Sequence, residues 1–258
     1  MTSTPHAGRL HGEVAIISGA SRGIGAATAR LFVAEGASVV VGDIRDPEGR
    51  ATADALGPAA AFCHLDVRDE QSWTKAVAAC HDAFGPVSVL VNNAGVNVVG
   101  GLAETDPADV RRLFEVNVLG AFFGIRAVLD DMKTAGRGSI VNVCSTTGLV
   151  GLAGNGAYAI SKAGSTALAR NAAVEYGRFG IRVNSVHPGG VDTDMRKGLA
   201  IGDTAARDKW YSRLPISRVA SPDEVARTIA FLASDESSLA TGAQFVIDCG
   251  QLAGSTGL

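Results

Sequence analysis

Short, unbroken apolar runs alternate with amphipathic stretches along most of this chain. VAIIS (14–18), SVVVGD (38–43), VSVLVNN (87–93), SIVNVCS (139–145) and IRVNSVHP (181–188) are rich in valine and isoleucine. They lack the polar alternation of a half-solvated strand, so they predict parallel strands covered on both faces. AAFCHLDV, ending near Asp66, and QFVIDCG (244–250) bring the candidates to seven. Between them lie helical patterns: 23–36 closed by Gly36, 47–56, 69–84, a long helix over roughly 107–133, and GNGAYAISKAGSTALARNAAVEY. A last helix runs from Ser221-Pro222 to about 234. Asp106-Pro107 and Ser221-Pro222 each place a capping side chain before a proline suited to the first turn. Strand and helix alternate with no break in composition, which predicts one Rossmann-like, doubly wound α/β domain over 12–258. Residues 1–11 are polar and predict a flexible tail, and 190–220 is a looser stretch.

Composition narrows the class. Apolar residues make up 47% of the 258 positions, enough for a large buried core, and the 32 glycines are spread among them. A formal net charge of -3 without a basic cluster gives no electrostatic case for nucleic acid or an anionic membrane. Cys63, Cys80, Cys144 and Cys249 form no Cys-x-x-Cys pair, and with five scattered histidines they make no metal site. The start has no apolar signal core, and no run nears the roughly 18 apolar residues of a membrane span. The expectation is a soluble, cytoplasmic protein with reduced thiols.

One end of the predicted sheet carries cofactor chemistry. Ser18-Gly19-Ala20-Ser21-Arg22-Gly23-Ile24-Gly25 lies between the first strand and the first helix. Glycines there let the backbone turn tightly and approach a pyrophosphate at the positive end of the helix. Asp43 ends the second strand, eighteen residues beyond Gly25, where a carboxylate would accept hydrogen bonds from an adenosine ribose and repel a 2′-phosphate. Arg22 and Arg45 argue the other way, as cations able to pair with that phosphate. The position of Asp43 against the 2′ oxygen favours NAD over NADP. Asp66 either reaches an adenine amino group or caps the next helix. Asn92-Asn93-Ala94-Gly95 ends the fourth strand, where small and amide residues suit the nicotinamide side and also hold neighbouring strands.

The other end carries a proton donor. Tyr158 and Lys162 are four apart in a helical stretch, hence on one face. A neighbouring ammonium favours the phenolate and so lowers the phenol pKa, which suits general acid–base work on a substrate oxygen. Ser145, at the end of the fifth strand, can donate to the same oxygen. A serine nucleophile is the rival reading, but no Gly-x-Ser-x-Gly elbow surrounds Ser145 and no histidine is evident as its base. Lys162 would also bind the nicotinamide ribose. Asn117 is a polar residue in the apolar run FEVNVLGAFF: either a structural kink or part of a water relay to Lys162.

Together SGASRGIG, Asp66, NNAG, Asn117, Ser145, Tyr158/Lys162 and NSVHPGGVDT, in that order, resemble the short-chain dehydrogenase/reductase family over residues 12–250. The resemblance implies a seven-stranded parallel sheet, a catalytic Asn117–Ser145–Tyr158–Lys162 tetrad, and hydride exchange between NAD(H) and a secondary alcohol or ketone. It implies cofactor contacts from Gly19, Ser21, Arg22, Gly23, Ile24, Gly25, Asp43, Asp66, Val67, Asn93, Ala94, Gly95, Pro188, Gly189, Val191 and Thr193, besides Tyr158 and Lys162. It also implies a homotetramer. The wording RVNSVHPGG and Asp43 look closest to bacterial hydroxysteroid and alicyclic alcohol dehydrogenases, with NADPH-dependent 3-oxoacyl-thioester reductases as the alternative. A cofactor-binding scaffold without turnover is disfavoured because all four tetrad residues are present. Substrate-facing candidates are Val96, Val98, Thr147, Leu149, Leu152 and Asn155, beside Ser145 and Tyr158. The loop 193–214, with Met195, Leu199, Trp210 and Tyr211, is expected to close as an apolar lid. Trp210 and Tyr211 equally fit a core or subunit contact. Ser18 in place of the commoner threonine keeps the hydroxyl, and Cys249 replaces a common glycine far from the chemistry.

Overall fold

The computed structural model describes residues 8–197 and 209–254. Seven parallel strands form one sheet in the order β3-β2-β1-β4-β5-β6-β7. They are β1 (Val14–Ser18), β2 (Ser38–Asp43), β3 (Ala60–His64), β4 (Val89–Asn92), β5 (Gly138–Val143), β6 (Ile181–Pro188) and β7 (Gln244–Ile247). The central apolar runs split between two cores by strand pleating, since alternate side chains point to opposite faces. Ala15, Ile17, Val39, Val41, Val89 and Val91 enter one core with Phe32 and Ile229, whereas Val14, Ile16, Val40 and Leu90 enter the other with Trp73 and Met132. Each fully buried aliphatic side chain contributes about 1.5–3 kcal/mol, which is why the runs are apolar throughout. The edge strands β3 and β7 are only partly covered.

Helices α1 (Gly23–Ala34), α2 (Asp46–Leu56) and α3 (Glu70–Ala83) follow the first three strands, and α6 (Gly156–Tyr176) precedes β6. The sequence pattern predicts one unbroken helix over 107–133; the structure divides it. α4 (Pro107–Phe114) passes through a π-helical stretch, Glu115–Leu119, before continuing as α5 (Gly120–Ala135). Asp106 caps α4 by accepting from Ala108 N. A short helix α7 (Asp194–Lys197) precedes α8 (Pro222–Ala233), which opens with a capping box between Ser221 and Glu224.

Two boundaries differ from the sequence expectation. Residues 8–11, expected within the loose tail, pack on the body: Leu10 is fully buried and its N–H donates to the Glu35 carbonyl at 3.0 Å. β3 ends at His64 rather than near Asp66, and the N-cap of α3 is Asp69, not Asp66. Among the described residues no helix is long and apolar enough to cross a membrane, and no group of three His, Cys, Asp or Glu side chains could hold a metal ion.

Candidate active site

Chain direction reverses its lateral progress between β1 and β4, and a crevice opens there beyond the carboxyl ends of the strands. Ser18, the last residue of β1, ties the two sides of this switch point. Its Oγ accepts from Asn93 N and Ala94 N, both at 3.1 Å. Asn93 Nδ2 in return donates to the Ser18 and Gly19 carbonyls at 2.9 Å. Gly19 has φ +66°, and a methyl placed on it would lie 2.7 Å from Ala94 Cα, so the turn admits only glycine. The glycine loop and the Asn93–Gly95 turn are thus one braced unit.

Asp43 is buried at the end of β2. Its Oδ2 accepts from Ser21 N and its Oδ1 from Arg45 N, each at 3.0 Å. The carboxylate therefore holds the glycine loop while facing the cavity. Arg22, the expected competitor, donates to Asp194 Oδ2 at 2.9 Å, bridging the loop to α7. Arg45 pairs with Glu48. Asp66 is gripped by Arg68, whose guanidinium beside it pulls the carboxyl below its ordinary value. Ser21 and Gly25 do not line the cavity. Ser21 lies behind the loop with a buried, unpartnered hydroxyl, and Gly25 packs under the Gly19 carbonyl.

Ser145, Tyr158 and Lys162 converge on the opposite side. Lys162 Nζ donates to the Val143 carbonyl at 2.8 Å and lies 5.9 Å from the Tyr158 ring centroid. Both groups are buried, so desolvation pushes the Tyr158 phenol up and the Lys162 ammonium down. The expected lowering of the phenol by Lys162 is therefore not what governs Tyr158 here; burial does, opposed by the hydrogen bond from Ser145. Thr147 Oγ1 donates to Ser145 Oγ at 2.9 Å, and Thr147 N also points to it at 3.3 Å, so the serine's own proton is directed toward the Tyr158 oxygen.

Asn117 sits in the π-helical stretch and is buried. Its Oδ1 accepts from Val96 N at 2.9 Å, and its Nδ2 donates to the Val96 carbonyl and to Ser161 Oγ. Both amide hydrogens are used, so the side chain serves Val96 and Ser161, and the π-helical stretch supplies the kink.

Apart from Ser18, Ser21, Gly25 and Asn117, these residues line one cavity of about 780 Å³. It includes Gly19, Arg22, Gly23, Ile24, Asp43, Asp66, Val67, Asn93, Ala94 and Gly95 at the loop end, and Ser145, Thr147, Leu152, Asn155, Tyr158 and Lys162 at the other. Pro188, Gly189, Val191, Thr193, Met195, Trp210 and Tyr211 close one side. Trp210 and Tyr211 both line the cavity and meet edge to face at 4.9 Å and 83°; Trp210 is 40% exposed, so it is not a core residue. Leu199 lies outside the described residues. Val98 and Leu149 are not part of the lining; Val98 packs with Leu113, Ala157 and Tyr158. The sequence reading missed Ile44, Asn97, Arg112, Val116 and Gln251, all of which line the cavity. Ile44 carried a signal, an apolar residue just after Asp43 that remains 60% exposed. The glycine cradle, the acidic residue facing it and the buried ammonium fit an extended dinucleotide.

Residues 19–251 match the short-chain dehydrogenase family described as Enoyl-(Acyl carrier protein) reductase. The chain is a short-chain dehydrogenase/reductase. It is similar to the 3-alpha-(or 20-beta)-hydroxysteroid dehydrogenase of Mycobacterium tuberculosis, 47% identical over 247 residues, covering 96% of this chain and 92% of that one. It is 43% identical over 256 residues to the trans-4-hydroxycyclohexanecarboxylate dehydrogenase of Sinomonas cyclohexanicum, covering 96% and 95%. A crystal structure of gluconate 5-dehydrogenase from Burkholderia cenocepacia J2315 with NADP and tartrate superimposes with a TM-score of 0.89 at 29% identity, covering 96% of this chain and 99% of that one. This short-chain dehydrogenase is an oxidoreductase of secondary alcohols and ketones that works with a nicotinamide cofactor. These relatives favour that chemistry over 3-oxoacyl-thioester reduction.

Proposed function

We propose that this short-chain dehydrogenase is an NAD-dependent enzyme for hydrophobic secondary alcohols or ketones, cyclic or steroid-like, acting as a cytoplasmic homotetramer. The observation that carries it is a single cavity with Asp43 at one end and Ser145, Tyr158 and Lys162 at the other. Bound NAD would accept or supply the hydride. Ser145 turns its proton from Tyr158 to the substrate oxygen, and Tyr158 exchanges a proton with that same oxygen. Lys162 spends one donor on Val143 and keeps two for the ribose hydroxyls. Asn117 holds the Val96 turn, and Thr147, Leu152 and Asn155 shape the substrate side.

NAD is preferred because the Asp43 carboxylate lines the loop end of the cavity, where it would meet a 2′ oxygen, while Arg22 is engaged by Asp194. The steroid and alicyclic relatives support a hydrophobic ring substrate, as do Leu152, Met195, Trp210 and Tyr211 in the lining. Four free cysteines suit a reducing compartment. The exposed Phe122, Ile160 and Val174 on α5 and α6, with Leu239 and Val246 near β7, supply the faces a tetramer would bury. Of the lid expected over 193–214 within the domain 12–258, Thr193, Met195, Trp210 and Tyr211 line the cavity, and 198–208 lie outside the described residues.

The test is turnover of a 20-ketosteroid, an alicyclic ketone and a 3-oxoacyl thioester with NADH and with NADPH, for wild type and Tyr158→Phe. The proposal expects NADH-linked reduction of a ring ketone, with turnover collapsing in Tyr158→Phe while NADH still binds. Undiminished turnover by that variant, or NADPH-linked thioester reduction alone, would overturn it.

A further inference from the structure

His187 belongs to the buried run of β6 and has no part in the chemistry above. It is fully buried, one strand over from β5, whose ladder with β6 ends at the Val143–Val186 pair. Its Nδ1 lies 3.0 Å from the Ser145 carbonyl oxygen, and its Nε2 lies 2.9 Å from Ser185 Oγ. A carbonyl can only accept, so the proton sits on Nδ1, and Nε2 of the neutral ring accepts from the serine hydroxyl. Burial pushes the imidazole below its ordinary value, which keeps that neutral form. The ring therefore has one defined tautomer and two satisfied nitrogens.

Ser145 is the first residue past the strand that must hold its place without a ladder partner. Its carbonyl accepts from Gly148 N at 3.0 Å on the loop side and from His187 on the sheet side. Its hydroxyl is engaged from the front by Thr147. The Gly148 and Thr147 bonds come from the same short turn that Ser145 opens. Among the described residues the His187 bond is the one hydrogen bond from Ser145 itself to the sheet.

We propose that His187 is a positioning residue for the alcohol–ketone reaction, fixing through its Nδ1–H bond to the Ser145 carbonyl the point at which Ser145 Oγ meets the substrate oxygen. This rests on the reading of Ser145 as donor to that oxygen.

Asparagine places an amide N–H near the position of Nδ1, glutamine places one near Nε2, and leucine fills the volume with no donor. The experiment compares His187→Asn, His187→Gln and His187→Leu in the full chain, measuring kcat and KM for an alicyclic ketone, NADH affinity by fluorescence and thermal unfolding. Misplacing a reacting group by an ångström costs on the order of a hundred-fold in rate, so kcat should fall by about ten- to a hundred-fold in the Gln and Leu variants. The Asn variant should recover most of it, with NADH affinity unchanged in all three. Ser145→Ala and the Ser145→Ala/His187→Leu double variant accompany them. If His187 acts through Ser145, leucine costs nothing further once the serine hydroxyl is gone. Equal losses in the Asn, Gln and Leu variants, or losses that follow NADH affinity or unfolding temperature, would overturn the proposal. So would unchanged kcat in the Leu variant while Ser145→Ala is inactive. Full turnover by Ser145→Ala would instead bring down the underlying reading of the serine.

Discussion

Replacing Asp43 with asparagine should do two things that a purely ligand-facing residue would not do together. Asp43 is only 7% exposed, and each carboxylate oxygen already accepts a backbone N–H at 3.0 Å, one from Ser21 in the glycine loop and one from Arg45. Asparagine keeps one acceptor and turns an NH2 group toward the other N–H, which then has no acceptor. A hydrogen bond to a charged group contributes about 1.5–3 kcal/mol, so one such loss predicts about 2 kcal/mol of destabilisation. In a chain of this size each kcal/mol moves Tm by roughly 2–4 °C, so the expected drop is about 4–8 °C without cofactor. Loss of a charge-assisted bond to the ribose weakens NADH by about ten-fold, each ten-fold being about 1.4 kcal/mol. NADPH, relieved of the carboxylate, should weaken less or tighten, so the ratio between the two narrows. Scanning calorimetry and fluorescence titration with both cofactors read these effects separately. An unchanged Tm would refute the loop-holding role, and an unchanged NADH-to-NADPH ratio would refute the assignment of Asp43 to the 2′ position.

Two further outcomes follow from titrating groups. Burial holds the Tyr158 phenol above its ordinary value, and alcohol oxidation needs it as a proton acceptor; kcat/KM for oxidation should therefore rise steadily from about pH 6 to about pH 10, while ketone reduction, which uses the neutral phenol, should not. An oxidation profile that falls with pH would contradict this. Glu224 is held at about 2, below the ordinary 4.5, by Arg218 first and then by the Ser221 N–H. A carboxylate with a depressed folded-state pKa stabilises fully above its unfolded value and loses that effect as pH falls through the folded one. The Tm gap between wild type and Glu224→Gln should thus be constant above 4.5 and close toward 2. A gap that persists at low pH would assign it to packing instead.

Much of this fold is legible because a parallel strand covered on both faces must be apolar throughout, so each central strand announces itself as a run. The capping residues Asp106 and Ser221 are equally local signals, and both act as the sequence suggests. What escapes is whatever depends on partners distant in sequence. Arg22 reads as a free cation in the glycine loop, and its pairing with Asp194, 172 residues later, has no local mark. The amide of Asn117 is claimed by Val96 and Ser161, and spacing alone leaves a kink and a relay equally open. The fixed distance of Tyr158 from Lys162 says that they share a face, not that Nζ turns to the Val143 carbonyl or that burial dominates the phenol. Gln251 and Asn97 reach the cavity through chain folding with no local mark.

The π-helical stretch at Glu115–Leu119 acts as a phase shifter. Gly120 N bonds back to the Glu115 carbonyl, five residues away, where an α-helix would reach four. One extra residue is thereby absorbed without lengthening the path, and every side chain after it is turned by about 100° from where an uninterrupted α-helix would put it. Leu113 before the stretch and Ile125, Val128 and Met132 after it face apolar cores under these two different phases, with Asn117 at the join. Removing a single residue between 115 and 119 would restore a regular helix and misdirect one half or the other. In this protein the site and the packing of its longest helical rod are therefore set by the same one-residue offset, and neither can be altered by a length change without the other.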